Sequence, residues 1–266
     1  MSFEALKERQ ARAYSDSKFE LLAATVADIH DELVERLGVR AGERWLDLAT
    51  GTGAVAIRAA KRGATVTGQD LAEGLIVTAR RFAGGEGVKV TFDVGDCEQL
   101  PYPDGSFDVV SSAQGVVFAP NHQAVARELK RVCASGGRLG LTAWRPGGAI
   151  GRFFQVMAGF QPPPPEGAGI PLDWGRPEYV EDLLGDVFEL EYHEGESPQL
   201  ADSPEAMWEL FVTALGPIKA LAESLDPDRR QELHDAFVGL YGDYLLGDGS
   251  VSSPREYLAI IGHRRD

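Results

Sequence analysis

Apolar and polar positions along residues 43–145 change period repeatedly, so that short apolar runs alternate with amphipathic stretches. The short runs predict strands over residues 44–48, 65–70, 88–94, 107–112 and 138–144. Between them, apolar residues at helical spacing predict helices over residues 54–62, 73–83 and 123–132. Strands and helices in this alternation are typical of a parallel sheet covered on both faces and joined by right-handed crossovers.

The flanking regions follow other patterns. Residues 3–37 predict two helices with a break at residues 14–17, and a turn is expected at residues 135–137. After Trp144 the pattern predicts helices over residues 150–160, 176–184, 205–225 and 227–246. It also predicts two more strands, over residues 187–194 and 255–262. We therefore expect an α/β fold with a seven-stranded, mostly parallel sheet. One domain would span residues 1–266, with a helical lid (1–40), a core (41–145), a cap (146–250) and a final strand (251–266).

The net charge and the cysteine count of the chain disfavour several classes of binding partner and site. The 266 residues carry a net charge of −15, with a pI near 4.8. This acidity disfavours a nucleic-acid partner, and it disfavours an anionic membrane surface as well. Cys97 and Cys133 lie in different predicted elements, which gives neither a disulfide framework nor a metal site. The first residues lack the apolar run of a signal peptide, and we expect a cytoplasmic protein.

A glycine turn follows the first predicted strand, in the run Asp47-Leu48-Ala49-Thr50-Gly51-Thr52-Gly53. A strand that enters a helix through such a turn is typical of nucleotide binding. A phosphate-binding P-loop is excluded because Ala54 and Val55, not Lys and Ser or Thr, follow Gly53. A dinucleotide site remains open, since Gly51 to Ala56 nearly matches its fingerprint. The third alternative is a site for S-adenosylmethionine (SAM).

Two acids bear on this choice. Asp47 precedes the turn, where a pyrophosphate would gain nothing from an acid, whereas SAM carries an ammonium and a sulfonium. Alternatively, Asp47 bonds the N–H groups of its own turn. Asp70 ends the second predicted strand, where an acid can accept hydrogen bonds from ribose hydroxyls. Alternatively, Asp70 and Glu73 cap the next helix.

Motifs further along the chain distinguish a SAM site from a dinucleotide site. Gly95-Asp96-Cys97 closes the third predicted strand, and Phe107-Asp108-Val109-Val110 opens the fourth. With the glycine turn, these residues resemble class I SAM-dependent methyltransferases over about residues 40–145. The nearest group is the small-molecule enzymes akin to ubiquinone and menaquinone C-methyltransferases. The resemblance implies a Rossmann-like fold, with SAM as cofactor and S-adenosylhomocysteine as product.

The resemblance also implies roles for individual residues. Asp70 would bind the ribose of SAM, and Leu71 would pack on its adenine ring. Asp96 would accept a hydrogen bond from the adenine amino group, and the backbone N–H of Cys97 would donate to a nitrogen of the adenine ring. The methionine portion would be lined by Ala49, Thr50, Gly51, Thr52 and Gly53, the carbonyl near Ala113 would hold its ammonium, and Tyr14 would close over the cofactor. The family often has Gly in place of Ala49 and Ser or Thr in place of Ala72.

The implied reaction is a metal-independent, in-line methyl transfer to a small-molecule acceptor. His122 is the candidate base, with a solvent-facing residue in the first turn of a helix as the alternative. Trp144 and Arg145 follow the fifth predicted strand and would face the cleft, where Arg145 would meet an acidic substrate or form a salt bridge. Two other functions stay open: a non-catalytic SAM sensor and an NAD-linked oxidoreductase. The helical insertions could build either a lid or a homodimer face.

Overall fold

The computed structural model describes residues 2–266; Met1, the first residue of the expected lid, lies outside this range. Its main sheet has seven strands in the order β3-β2-β1-β4-β5-β9-β6. Only β9 runs antiparallel to its neighbours, so the expected fold class is confirmed. The strands are β1 (Arg44–Leu48), β2 (Thr65–Asp70), β3 (Val90–Val94), β4 (Phe107–Ala113), β5 (Cys133–Trp144), β6 (Phe188–Glu196), β7 (Gln199–Ala201), β8 (Val251–Ser253) and β9 (Glu256–Arg264).

Helices cover both faces of the sheet and one of its ends. No helix within residues 2–266 is both long and apolar enough to cross a bilayer. The helices are α1 (Phe3–Ser15), α2 (Phe19–Ala23), α3 (Ala27–Leu37), α4 (Ala54–Lys61), α5 (Glu73–Gly85), α6 (His122–Val132), α7 (Gly148–Ala158), α8 (Pro177–Leu184), α9 (Pro204–Ala214), α10 (Gly216–Ser224) and α11 (Pro227–Gly242). Short 3-10 turns lie at Ala24–Val26, Val116–Phe118 and Pro171–Gly175.

Two apolar clusters sandwich the sheet. Successive residues of β1 point to opposite faces, so Leu46 joins the cluster beneath α6 and α8, while Trp45 joins the cluster beneath α3, α4 and α5. Burial on both faces explains why the central strands are continuous apolar runs. A third cluster holds α7, α9, α10 and α11 together around Phe153, Phe211 and Phe237.

A buried cation joins the cap to the rest of the chain. Arg255 is 5% exposed and donates to the carbonyl oxygen of Thr25 (2.6 Å), the carbonyl of Ser197 (2.9 Å) and the side chain of Gln199. Its acceptors are neutral, and burial lowers its pKa to about 10. Because five N–H donors are fixed in one plane, a single guanidinium can tie three segments together.

The structure corrects several expected boundaries. Residues 135–137 are not a turn before β5; β5 begins at Cys133, with an irregular register against β4. The helix expected over residues 205–225 is two helices, because Pro217 lacks the N–H that would continue α9. Strand β3 begins at Val90 rather than residue 88, and the short pairing of β7 with β8 was not expected.

Candidate functional site

The carboxyl ends of four neighbouring strands meet at one edge of the sheet. In the register of the sheet, Leu48 of β1 lies beside Gln69 of β2, Asp70 of β2 beside Val94 of β3, and Asp47 of β1 beside Ser111 of β4. This edge is where ligands bind in open α/β sheets, at the point where the strand order reverses. The glycine turn, Asp70, the loop after β3 and Ala113 are therefore neighbours in space.

The carboxylate of Asp47 is buried beneath the glycine turn. It is 1% exposed, and it accepts hydrogen bonds from the hydroxyls of Thr50 (2.5 Å) and Ser111 (2.7 Å). The Ser111 hydroxyl in turn accepts from the indole N–H of Trp45 at 2.8 Å. Burial raises the pKa of Asp47 to about 6, against the lowering effect of these hydrogen bonds. In this arrangement Asp47 ties its turn to β4, largely through side-chain hydroxyls.

The turn itself needs a left-handed backbone. Gly51 and Gly53 have φ values of +56° and +82°, which glycine adopts without steric cost. Ala49 also lies in this region, at +47°, although its side chain disfavours it. Thr50 and Thr52 are buried between them. Strain of this kind is often found in residues that shape a ligand site.

Asp70 connects the glycine turn to the start of α5. Its two carboxylate oxygens accept from the backbone N–H groups of Gly51 (2.8 Å) and Ala72 (2.9 Å). Burial raises the pKa of Asp70, and the backbone N–H groups oppose this shift. The helix-cap interpretation is wrong in detail, because Ala72 is the N-cap residue of α5 and makes no side-chain cap bond. Leu71, between them, is half-buried.

The loop after β3 is tied to helix α1. Lys7 of α1 donates to the carboxylates of Asp96 (2.6 Å) and Glu98 (2.9 Å). Burial alone would lower the pKa of Lys7, but these two bonds raise it overall. Asp96 also accepts from the N–H of Glu98 at 2.9 Å. The side chain of Cys97 is half-buried, and burial raises the pKa of its thiol, which makes it a weak nucleophile.

The remainder of α1 covers the turn and the start of α5. Ser15 accepts from the N–H of Gly74 at 3.1 Å, and Gln10 donates to the carbonyl of Phe118 at 3.1 Å. Tyr14 lies close enough to Asp70 for that charge to add to the burial that raises its pKa. Phe19 packs edge-on to Tyr14, with ring centroids 5.6 Å apart, and contacts the turn at Gly51.

The end of β4 forms the other side of the cleft. Ala113 is half-buried there, and Gln114 follows in a left-handed conformation at φ +50°. The side-chain nitrogen of Gln114 is buried and has no hydrogen-bond partner in the protein. A buried amide without a partner is costly, so this donor is available to a bound ligand.

His122 does not occupy either position expected from the sequence. It stands in the first turn of α6, but it is 3% exposed and packs against Trp174 and Tyr179. Its Nδ1 lies 2.8 Å from the Tyr179 hydroxyl and its Nε2 lies 3.0 Å from the carbonyl oxygen of Val117. Burial lowers its pKa. With both ring nitrogens engaged in the core, His122 has none free to accept a proton from a substrate.

Two further expected residues also form internal contacts. Arg145 forms a salt bridge with Glu194 at 2.8 Å, and Trp144 is half-buried under the guanidinium of Arg255. Across residues 2–266, no three His, Cys, Asp or Glu side chains are placed to hold a metal ion together.

Sequence reasoning missed Lys7, Phe19 and Ser111. Ser111 carried a signal, as a polar residue directly after the apolar pair Val109-Val110 in a central strand. Lys7 and Phe19 carried none, because their contacts depend on how α1 and α2 pack against distant loops.

The pKa of Asp47 predicts a pH dependence of stability. Because folding raises this pKa from 3.8 to about 6, the unfolded chain releases the proton more easily, and the folded state loses stability as pH rises from about 4 to 7. Asp47→Asn lacks this effect. Urea unfolding is measured at pH 4 to 8. As pH increases, the free energy of unfolding of Asp47→Asn should rise relative to that of the parent protein by up to about 3 kcal/mol and then level off. A pH-independent difference would contradict the assignment.

Comparison with known proteins agrees with the fold and this edge of the sheet. A methyltransferase domain model matches residues 46–141. An uncharacterised protein of Mycobacterium tuberculosis, Rv1405c, is 34% identical over 226 residues, or 82% of this chain and 73% of that protein. Demethylmenaquinone methyltransferase of Thermus thermophilus is 41% identical over 121 residues, covering 44% of this chain and 55% of that enzyme.

A solved structure shares the architecture at lower sequence similarity. Phosphoethanolamine N-methyltransferase 2 of Haemonchus contortus, in complex with SAM, superimposes with a TM-score of 0.57 at 17% identity. The match covers 90% of this chain and 53% of that one. That likeness shows the shared fold. The domain match, the similarity to the Thermus methyltransferase and the glycine turn show that the chain belongs to the class I SAM-dependent methyltransferases.

Proposed function

We propose that this methyltransferase transfers the SAM methyl group to a small-molecule acceptor by in-line displacement, without a metal ion. The observation that carries the proposal is the meeting of Gly51, Asp70 and Asp96 at one edge of the sheet, beneath α1. In this proposal the three residues bind the methionine, ribose and adenine portions of the cofactor, respectively.

The hydrogen-bonding capacity of Asp70 supports its role. An ionised carboxylate offers about four lone pairs. Two of them accept the N–H groups of Gly51 and Ala72, which fixes the plane of the carboxylate. The remaining lone pairs are free to accept from the two hydroxyls of a ribose. Because it is bound to the glycine turn, Asp70 would hold the ribose and the methionine portion in a fixed relation.

The other roles follow from position. Asp96 keeps lone pairs beyond those used by Lys7 and Glu98, which suits an adenine amino group, and the N–H of Cys97 would meet a ring nitrogen. Leu71 would pack on the adenine. The carbonyl of Ala113 would accept from the ammonium. The methionine portion would be lined by the turn residues Ala49, Thr50, Gly51, Thr52 and Gly53.

The protein's contribution to the chemistry is orientation. When bound, SAM supplies an electrophilic methyl group: an electron pair of the acceptor bonds to the methyl carbon while the carbon–sulfur pair stays on sulfur, and the acceptor's proton passes to solvent. The strand-end loops and α1, with Tyr14 and Phe19, hold the reactants in line and exclude water. Such positioning can lower a barrier by roughly 7–11 kcal/mol. We assign no base, because His122 is engaged in the core.

Two features favour a small acceptor. The cap formed by α7 and α9 to α11 contacts this edge of the sheet, where Phe154 of α7 stacks on Phe118 after β4, and it would enclose the substrate, as small-molecule sites require. The net charge of −15 disfavours RNA and DNA. By their names, the Thermus and Haemonchus relatives act on demethylmenaquinone and phosphoethanolamine, which are both small molecules.

Replacement of Asp70 tests the cofactor site. Asp70→Asn should weaken SAM binding by about 10- to 100-fold, because a hydrogen bond to a charged group is worth roughly 1.5–3 kcal/mol. Isothermal titration with SAM measures the change. Asp108→Asn is the matched control, since it loses an ion pair with Arg44 near the opposite end of β4. Unchanged SAM affinity in a folded Asp70→Asn protein would refute the assignment.

Replacement of Lys7 tests α1 as a lid. Lys7→Met should release bound SAM faster, by about tenfold if the two bonds together contribute ~1.4 kcal/mol. Radiolabelled SAM chased with unlabelled SAM reports the rate. Arg12→Met on the same helix should have no effect, because its ion pair with Glu8 is solvent-exposed. Equal rates for Lys7→Met and the parent would argue against α1 as the lid.

The acceptor class has a direct test. The protein is incubated with methyl-tritiated SAM and an extract of Mycobacterium tuberculosis, the organism of the 34% identical relative, that has been separated into small molecules, RNA and protein. We expect label to enter the small-molecule fraction and to be lost with Asp70→Asn. Label in RNA or protein would overturn the small-molecule proposal while leaving the enzyme class intact.

A further inference from the structure

The loop that follows β4 is held between strand β5 and the glycine turn. Ala113 of β4 pairs with Thr142 of β5, and the N–H of Gln114 donates to the Thr142 carbonyl oxygen at 3.0 Å. On the other side, a Cβ at Gly115 would lie 2.5 Å from the Cβ of Ala49 and 2.8 Å from the carbonyl oxygen of Ala49. The backbone at Gln114 is therefore fixed at the edge of the sheet where the strand order reverses.

Backbone strain is concentrated at this junction. Within residues 2–266, two residues other than glycine have a left-handed backbone, Ala49 at φ +47° and Gln114 at φ +50°. This conformation is unfavourable for a residue with a Cβ, and it persists chiefly where the chain shapes a ligand site. The two strained residues belong to the two loops that meet at Gly115. Both loops border the cofactor in the proposed function.

The side chain of Gln114 has a hydrogen-bond donor without a partner. The residue is half-buried, but its amide nitrogen is buried and makes no hydrogen bond within the protein. A buried donor without a partner costs free energy. Because the terminal torsion of a glutamine side chain is soft, the amide can turn toward a ligand in the cleft. A ligand oxygen that accepts from this nitrogen would remove the cost.

The order of the strands indicates which ligand this donor meets. In the proposed function, the adenine lies at the end of β3, the ribose at β2 and the methionine portion at β1, and these strands are adjacent in that order. Beyond β1, the next strands are β4 and β5. In an in-line displacement the acceptor lies on the side of the methyl group opposite to sulfur. We therefore expect the acceptor beside β4 and β5, where Gln114 lies.

The lid and the cap both reach the loop that carries Gln114. Phe118, four residues further on, stacks on Phe154 of α7, with ring centroids 6.5 Å apart and an interplanar angle of 17°. The carbonyl oxygen of Phe118 accepts from Gln10 of α1 at 3.1 Å. The loop thus contacts both elements that would exclude water from the acceptor.

We propose that the side-chain amide of Gln114 binds the methyl acceptor, by donating a hydrogen bond to an oxygen of that molecule. This inference rests on the proposed function, because it names a residue that orients the acceptor for that same reaction. Hydrogen bonds to ionised oxygens are stronger than those to neutral ones. The amide therefore favours an acceptor whose oxygen carries negative charge during the reaction.

Removal of the amide tests this role. Gln114→Met keeps the length of the side chain and the left-handed backbone but removes the donor. The full chain is assayed with methyl-tritiated SAM and dilutions of the small-molecule fraction of the Mycobacterium tuberculosis extract. The amount of this fraction that gives half-maximal labelling should rise about tenfold. The affinity for SAM, measured by isothermal titration, should stay unchanged.

Urea unfolding distinguishes binding from a structural role. Because the amide nitrogen has no partner in the protein, Gln114→Met should unfold at the same urea concentration as the parent or at a higher one. A lower midpoint would show that the amide supports the fold and would contradict the inference. Gln123→Met makes the same replacement at an exposed position of α6 and should match the parent in labelling and in SAM affinity.

Gln114→Glu tests whether the bound atom is an oxygen. A carboxylate cannot donate, and it repels a charged oxygen, so labelling should fall below that of Gln114→Met. Higher labelling by Gln114→Glu than by Gln114→Met would indicate an amine acceptor and overturn the inference. Parent-like labelling by Gln114→Met, or a loss of its SAM affinity, would also overturn it and leave the proposed function standing. No label from the parent protein in the small-molecule fraction would overturn both.

Discussion

The buried carboxylate of Asp47 fixes the geometry on which the proposed cofactor site depends. Through the hydroxyls of Thr50 and Ser111, it joins β1, the glycine turn and β4 at the point where the strand order reverses. A buried acid is costly, and its raised pKa reflects this cost. The cost persists because a turn that moved away would take the Thr50 hydroxyl with it and leave the buried carboxylate without that hydrogen bond.

Asp70 and Lys7 connect further elements to this edge of the sheet. Asp70 binds the turn to the start of α5, and Lys7 binds α1 to the loop after β3. Acids at the strand ends thus have structural partners on one side and free lone pairs on the other. In the proposed function Asp70 both holds the protein together and faces the ligand, whereas the carboxylate of Asp47 is 1% exposed and is bound to the hydroxyls of Thr50 and Ser111.

Local signals explain what was predictable from the sequence. Strands β1 and β2 end where expected because β1 meets a glycine turn and β2 ends at an acid, and these ends also locate Gly51 and Asp70. Lys7 could not be identified because its partner Asp96 lies 89 positions away. The burial of His122 has the same origin, because Tyr179, which lies against its Nδ1, is 57 positions away. Contacts of this range depend on packing, which periodicity does not encode.

Helix α1 also touches the cap, and this contact has a thermodynamic consequence. A Cβ at Gly216 of α10 would lie 2.1 Å from the carbonyl oxygen of Ala13, so the two helices meet backbone to backbone. In the proposed function, this helix therefore borders the cofactor through the loop bound by Lys7 and the acceptor through the cap at Ala13. Any free energy by which a bound acceptor tightens the cap on α1 must be given up before the cofactor leaves. Under the proposed function, any such free energy would link the affinities for SAM and the acceptor, and each ligand would change the affinity for the other by the same factor.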